Sequence, residues 1–137
     1  MVRIGDWDFP EDLLYDRHNQ WIANLDNKIR FGLTPYGLAI TGDVLYLALP
    51  EAGAAVEKGS GCGSLEAGKW VGRIYAPVSG RIVRVNDEVV KEPGSIGKSP
   101  YSNWFAEIEP SESLDMTELM TINQLSDWLT EELKQDA

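Results

Sequence analysis

The chain has 137 residues with 12 basic and 22 acidic side chains, a formal net charge of −10. This length predicts one domain, long enough to bury a core without staples, and a hydrophobic fraction of 43% excludes wholesale disorder. The acidity excludes nucleic acid and anionic membrane as main partners, because both repel such a surface. It suits a protein that docks on basic patches of other proteins.

The single cysteine, Cys62, excludes an internal disulfide and a Cys-rich metal site. The longest apolar run, Val44–Leu49, stops at Pro50 and is far too short for a bilayer span. The start, Met1 to Asp6, lacks the basic-then-apolar layout of a secretion signal. These features predict a cytoplasmic protein without membrane contact, expected to be a monomer.

Residues 1–20 are mixed and Asp-rich, and they read as a packed arm with little regular structure, anchored by Trp7, Phe9, Leu13 and Leu14. Trp21 to Leu25, a polar turn at Asp26-Asn27 and Lys28 to Leu33 read as a hairpin. Ile29, Phe31 and Leu33 share one face at period two. Thr34-Pro35 is an N-cap followed by Pro at the first helical position, so a short helix runs over Pro35–Ile40 to Thr41-Gly42. Asp43–Leu49 reads as a strand covered on both sides.

From 51 to 110, short strands are separated by Gly and Pro: Ala54–Val56, Gly61–Leu65, Arg73–Ala76, Gly80–Val85 and Trp104–Ile108. This spacing predicts a small sandwich or barrel. Glu92 to Pro100 reads as a loop. After residue 111 the chain reads as helical. Thr121 and Gln124 form a capping box, and Ile122, Leu125, Leu129 and Leu133 follow at three- and four-residue steps beside Trp128. The predicted layout is therefore an arm over 1–20, a β-sandwich over 21–110 and C-terminal helices over 111–137.

The residues give little to an enzyme. His18 is the sole histidine, so a histidine pair for zinc is impossible. Neither a Walker lysine loop nor a G-x-G-x-x-G fingerprint occurs. Gly59 to Ser64 is glycine-rich without a strand–loop–helix context and reads as strand entry. No carboxylate pair stands out as an acid/base dyad. One segment differs: strand candidates flank Ala67-Gly68-Lys69-Trp70, so a hairpin would put Lys69 at an exposed tip, where a modifying enzyme reaches it and a tethered group moves freely.

Around that tip the chain resembles the H protein of the glycine cleavage system, a relative of lipoyl and biotinyl carrier domains. The resemblance rests on Ile74-Tyr75-Ala76-Pro77-Val78-Ser79-Gly80, on Lys69 five residues before Ile74, and on Glu66 three before that lysine. Gly42-Asp43-Val44 through Leu49-Pro50-Glu51, Val56-Glu57-Lys58-Gly59, Val85-Asn86 and Pro100-Tyr101 with Trp104-Phe105 agree with the family too. It spans roughly residues 13–133. It implies a flattened antiparallel β-sandwich with C-terminal helices, and a non-catalytic carrier with lipoate amide-linked to Lys69. Glu66 then matches the position read by the lipoate ligase or lipoyl transferase. A biotin carrier is disfavoured because its Met-Lys-Met is missing.

Two departures from the family pattern fall near the arm. With Trp21 aligned, Asn19 stands where the family's histidine would lie and His18 is displaced by one. The residues around the lysine become Gly68 and Trp70, with an indole directly beside the arm. These surroundings are similar to an H-like lipoate-binding branch serving a heterodisulfide-reductase-like complex in sulfur oxidation, and the reading leans to a sulfur intermediate as cargo. The alternative is the aminomethyl group of glycine cleavage, passed between glycine decarboxylase, aminomethyltransferase and lipoyl dehydrogenase. An unmodified adaptor of the same fold is the third reading. Cys62 reads as a small buried hydrophobe rather than a thiol partner of the arm, and Trp21, Trp104 and Trp128 read as core.

Overall fold

A computed structural model of the chain describes residues 1–68 and 70–135. Residues 1–20 hold more regular structure than expected. Strands β1 (Val2–Ile4) and β2 (Trp7–Phe9) form a hairpin that closes on the Ile4–Trp7 pair, and β3 (Leu14–Tyr15) follows. Three-residue strands are too short to show a period, but Ile4 and Phe9 are buried and give the hairpin its anchor.

β4 (Gln20–Leu25) and β5 (Lys28–Leu33) form the expected hairpin, turning after the Leu25–Lys28 pair. Helix α1 (Pro35–Thr41) starts where Thr34 Oγ1 accepts from the Gly37 N–H at 3.1 Å, and it ends at Gly42. The next stretch corrects the reading of 43–49. Only β6 (Tyr46–Ala48) is strand, and one face of it is open: Leu47 is buried while Tyr46 is 68% exposed. Leu45 before it is also exposed.

β7 (Ala55–Val56), β8 (Gly61–Ala67), β9 (Trp70–Tyr75) and β10 (Gly80–Val85) come next. Two short helices follow: α2 (Asp87–Lys91), and α3 (Ser95–Lys98), which interrupts the region read as loop. β11 (Ala106–Pro110), a 3-10 turn at Met116–Glu118 and α4 (Ile122–Gln135) complete the order. The capping box of α4 forms: Thr121 N–H donates to Gln124 Oε1 at 2.9 Å, and Gln124 N–H donates to Thr121 Oγ1 at 3.4 Å.

The fold is mainly β. A six-stranded antiparallel sheet runs β3-β4-β5-β11-β10-β7, and a three-stranded sheet runs β6-β8-β9. The main core joins them, with Ile22, Phe31, Ile82 and Ile108 of the larger sheet packed with Leu47, Leu65 and Ile74 of the smaller. A second core contains Ile4, Phe9 and Trp21 together with Leu125 and Leu129, so the N-terminal hairpin and α4 pack on the strand that carries Trp21. Glu107 crosses from β11 to β5: it is 2% exposed and accepts from Arg30 Nε and Nη2 at 3.0 and 2.7 Å.

Candidate functional site

The site is built on the β8–β9 hairpin. These strands pair from Gly61–Tyr75 to Ala67–Trp70, and Gly68 leaves the last pair with φ +59°, in the left-handed region that glycine enters at least cost. Lys69, the expected attachment residue, lies outside the described residues; its neighbours Gly68 and Trp70 are both exposed.

Along β8 the burial alternates. Leu65 and Ala67 face the core, and Glu66 is exposed in a cross-strand row between Tyr46 and Val71. Val71 is 67% exposed, so Glu66 sits between two uncovered apolar side chains, on the face of the sheet opposite Leu65. On β9, Trp70 and Gly72 share the other face. The six-membered ring of Trp70 occupies the space a Cβ on Gly72 would fill. The ring therefore lies along the strand and is 47% exposed.

Beside β9 is a cleft of about 380 Å³. Trp70, Leu65, Leu33 and Ile40 give it apolar lining, while His18, Asn19 and Tyr75 give it polar lining. The structure thus brings His18, Asn19 and Trp70 together around one cavity. Glu66 is not part of it, and Gly68 contributes only the turn. Asn19 takes φ +62°, a conformation asparagine tolerates. Its carbonyl accepts from the Thr34 N–H at 2.8 Å. The exposed His18 ring stacks on Tyr75, with centroids 3.9 Å apart.

Two residues that sequence reasoning missed, Asp16 and Gln20, hold this arrangement. Asp16 Oδ1 accepts from the backbone N–H of His18 at 2.9 Å and of Gln20 at 3.1 Å, and Asp16 Oδ2 accepts from Gln20 Nε2 at 2.9 Å. Gln20 in turn bonds the main chain of Tyr75. The Asp at a tight turn is a local signal that could have been read; the link to Tyr75 has none. Burial pushes the Asp16 carboxyl above its ordinary range, against the opposing pull of the hydrogen bonds from Gln20 and His18.

Cys62 is half-buried against the main core, and burial pushes its thiol up to about 11. It occupies a β-bulge, since Gly61 pairs with Tyr75 and Gly63 with Ile74. Among the described residues no group of three or more His, Cys, Asp or Glu could hold a metal ion. Among them, too, no helix is long and apolar enough to cross a membrane.

The family model for the glycine cleavage H-protein matches residues 13–132. The chain belongs to the glycine cleavage H-protein family. It is 37% identical over 113 residues to the glycine cleavage system H protein of Oceanobacillus iheyensis, covering 82% of this chain and 90% of that one. It is 35% identical over 131 residues to the probable glycine cleavage system H protein of Pyrococcus furiosus, covering 94% of this chain and 98% of that one. The crystal structure of a glycine cleavage system H protein from Mycobacterium marinum superposes with a TM-score of 0.81 at 32% identity, covering 88% of this chain and 98% of that one. Proteins of this family are non-catalytic carriers with lipoate covalently attached to a lysine. These relatives bear the glycine-cleavage name, and they favour that reading over the sulfur-oxidation one.

Proposed function

We propose that the chain is the H-type lipoyl carrier of a glycine cleavage system, with Lys69 as the attachment residue. The observation that carries this reading is the hairpin closed by the Ala67–Trp70 pair, with Lys69 between those partners in the sequence and an amphipathic cleft along the adjoining strand. The exposed Gly68 leaves the turn free of side-chain bulk for a modifying enzyme. Glu66, standing out from the sheet three residues before the lysine, is the group a lipoate ligase or lipoyl transferase reads. When attached, the group supplies a dithiolane that is reduced, loaded and reoxidised at partner enzymes. The chain's own part is presentation: a rigid sandwich, a tip that holds the tether at high effective concentration near a docked partner, and an acidic surface for fast, reversible docking. Glycine decarboxylase, aminomethyltransferase and lipoyl dehydrogenase are the partners this reading assigns.

Intact mass after incubation with a lipoate ligase tests the attachment: one lipoyl is expected on the wild type and none on Lys69→Arg, which keeps the charge but cannot form the amide. Lipoyl on Lys58, Lys91 or Lys98 would overturn it. Exchange of labelled carbon dioxide into the glycine carboxyl, with purified glycine decarboxylase and a known H protein as control, tests the pathway.

One observation favours the second reading, a sulfur cargo passed to a heterodisulfide-reductase-like complex. Among the described residues that line the cleft there is no Asp or Glu, while Arg73 is present. An aminomethyl group ends in an ammonium and finds no counter-charge there. Exchange far below the control would favour this reading.

A further inference from the structure

Trp70 and Gly72 are fitted to each other. The indole occupies the space that any side chain on residue 72 would take, so only glycine leaves that seat. Seated there, the indole lines the cleft together with Leu33, Ile40 and Leu65. The indole is not a core residue of the usual kind: it is 47% exposed, whereas Trp21 is 2% exposed. A broad apolar ring face is thus held in a fixed place and left uncovered, and covering it is favourable. Trp70 follows Lys69 directly in the chain, and neighbouring Cα atoms stand about 3.8 Å apart. A long acyl arm on that lysine is therefore tethered one residue from Trp70 in the chain.

We infer that Trp70, seated on Gly72, is a positioning residue for the arm: its ring packs against the methylene chain of lipoyl-Lys69 and lays the unloaded arm along the cleft. This deepens the carrier reading and rests on attachment at Lys69. The seat and the arm are coupled in a specific way. Removing the ring removes the contact, and adding a methyl at Gly72 keeps the ring but lifts it off the cleft wall. A ring that merely filled the cleft would do the opposite, shutting the arm out.

The test uses the lipoylated protein and a water-soluble phosphine that reduces the dithiolane. An arm laid in the cleft is shielded, so the wild type is expected to react about threefold or more slowly than both Trp70→Ala and Gly72→Ala. Trp70→Phe, which keeps an aromatic face, should restore most of the shielding. The exposure of the ring means that Trp70→Ala removes little core packing. A second readout is the indole N–H resonance that disappears in Trp70→Phe: it should shift on lipoylation. Free lipoamide titrated into the unmodified chain should move the same resonance, which tests the seat without the tether. Equal reduction rates in all forms, faster reduction in the wild type than in Trp70→Ala, or an indole resonance indifferent to both lipoylation and free lipoamide would each overturn the inference. Intact mass separates the two failures: a chain that takes no lipoyl defeats the carrier reading, while a lipoylated chain with an indifferent indole defeats only the role of Trp70.

Discussion

Gln20 bonds both main-chain groups of Tyr75, 55 residues away: its Oε1 accepts from the Tyr75 N–H at 2.9 Å and its Nε2 donates to the Tyr75 carbonyl at 2.8 Å. Through Asp16 the same amide holds the turn that carries His18 and Asn19. One buried side chain thus fixes two walls of the cleft relative to each other. Gln20→Leu keeps the volume but strips the partners from the Tyr75 N–H and carbonyl and from one carboxylate oxygen of Asp16. A buried polar group left unmade costs on the order of 1–3 kcal/mol, so a loss of about 2–4 kcal/mol is expected in urea unfolding. A loss below about 1 kcal/mol would show that water replaces the amide readily.

Asp16 adds a pH dependence. Burial raises its carboxyl pKa in the folded protein, and in the unfolded chain it titrates near about 3.9. A raised folded value means that its stabilising contribution is complete below about pH 4 and is lost as pH rises through the folded value. Asp16→Asn cannot titrate. The difference in urea midpoint, wild type minus variant, is therefore expected to fall between pH 4 and pH 7. A rising difference would mean that the three hydrogen bonds outweigh burial and depress the carboxyl instead.

Cys62 is expected to be a poor partner for the arm. With its thiol pushed up to about 11 by burial, about one molecule in a thousand is thiolate at pH 8, against roughly a quarter for a thiol at about 8.5. Alkylation by iodoacetamide in the folded state should run about two hundredfold slower than for a free cysteine, and urea should abolish the difference. Fast alkylation in the native state would show that the bulge opens and exposes the sulfur.

The pieces legible in the sequence are those with local causes. The β4–β5 hairpin follows from the period-two spacing of Ile29, Phe31 and Leu33 after the polar turn at Asp26-Asn27. The starts of α1 and α4 follow from Thr34 and Thr121, whose hydroxyls accept the expected bonds. The N-terminal hairpin was not legible, because three residues per strand show no period. Nor was α2, whose five residues begin right after the strand that ends at Val85. The stretch around Tyr46 misled because its alternating leucines suggested cover on two sides, while Leu45 and Tyr46 are exposed. At the site, His18, Asn19 and Trp70 were identified one by one, but that they share a cleft depends on the Gln20–Tyr75 link, which no local pattern announces.

Arg73 bears on which cargo the arm can shelter. It is exposed, it lines the cleft, and its stem passes beside Gly61. A glycine-derived aminomethyl group is an ammonium at neutral pH, and two like charges 4 Å apart in water repel by about 1 kcal/mol. Arg73→Glu turns that repulsion into attraction. The swing is largest if the guanidinium reaches into the cleft, and it shrinks with distance and with salt. The measurable quantity is the release of formaldehyde and ammonia, in the absence of partner enzymes, from an arm loaded with the aminomethyl group. In that reaction water cleaves the carbon–sulfur link and the thiol is regenerated. Release is expected to be about threefold slower in Arg73→Glu than in the wild type at low ionic strength. Salt at about 0.5 M should narrow the gap, because the Debye length then falls to about 4 Å. Equal rates at low salt would mean that the loaded arm does not rest beside Arg73 at all. The charge of the cleft would then say nothing about cargo, and the support it lends to a sulfur intermediate would disappear.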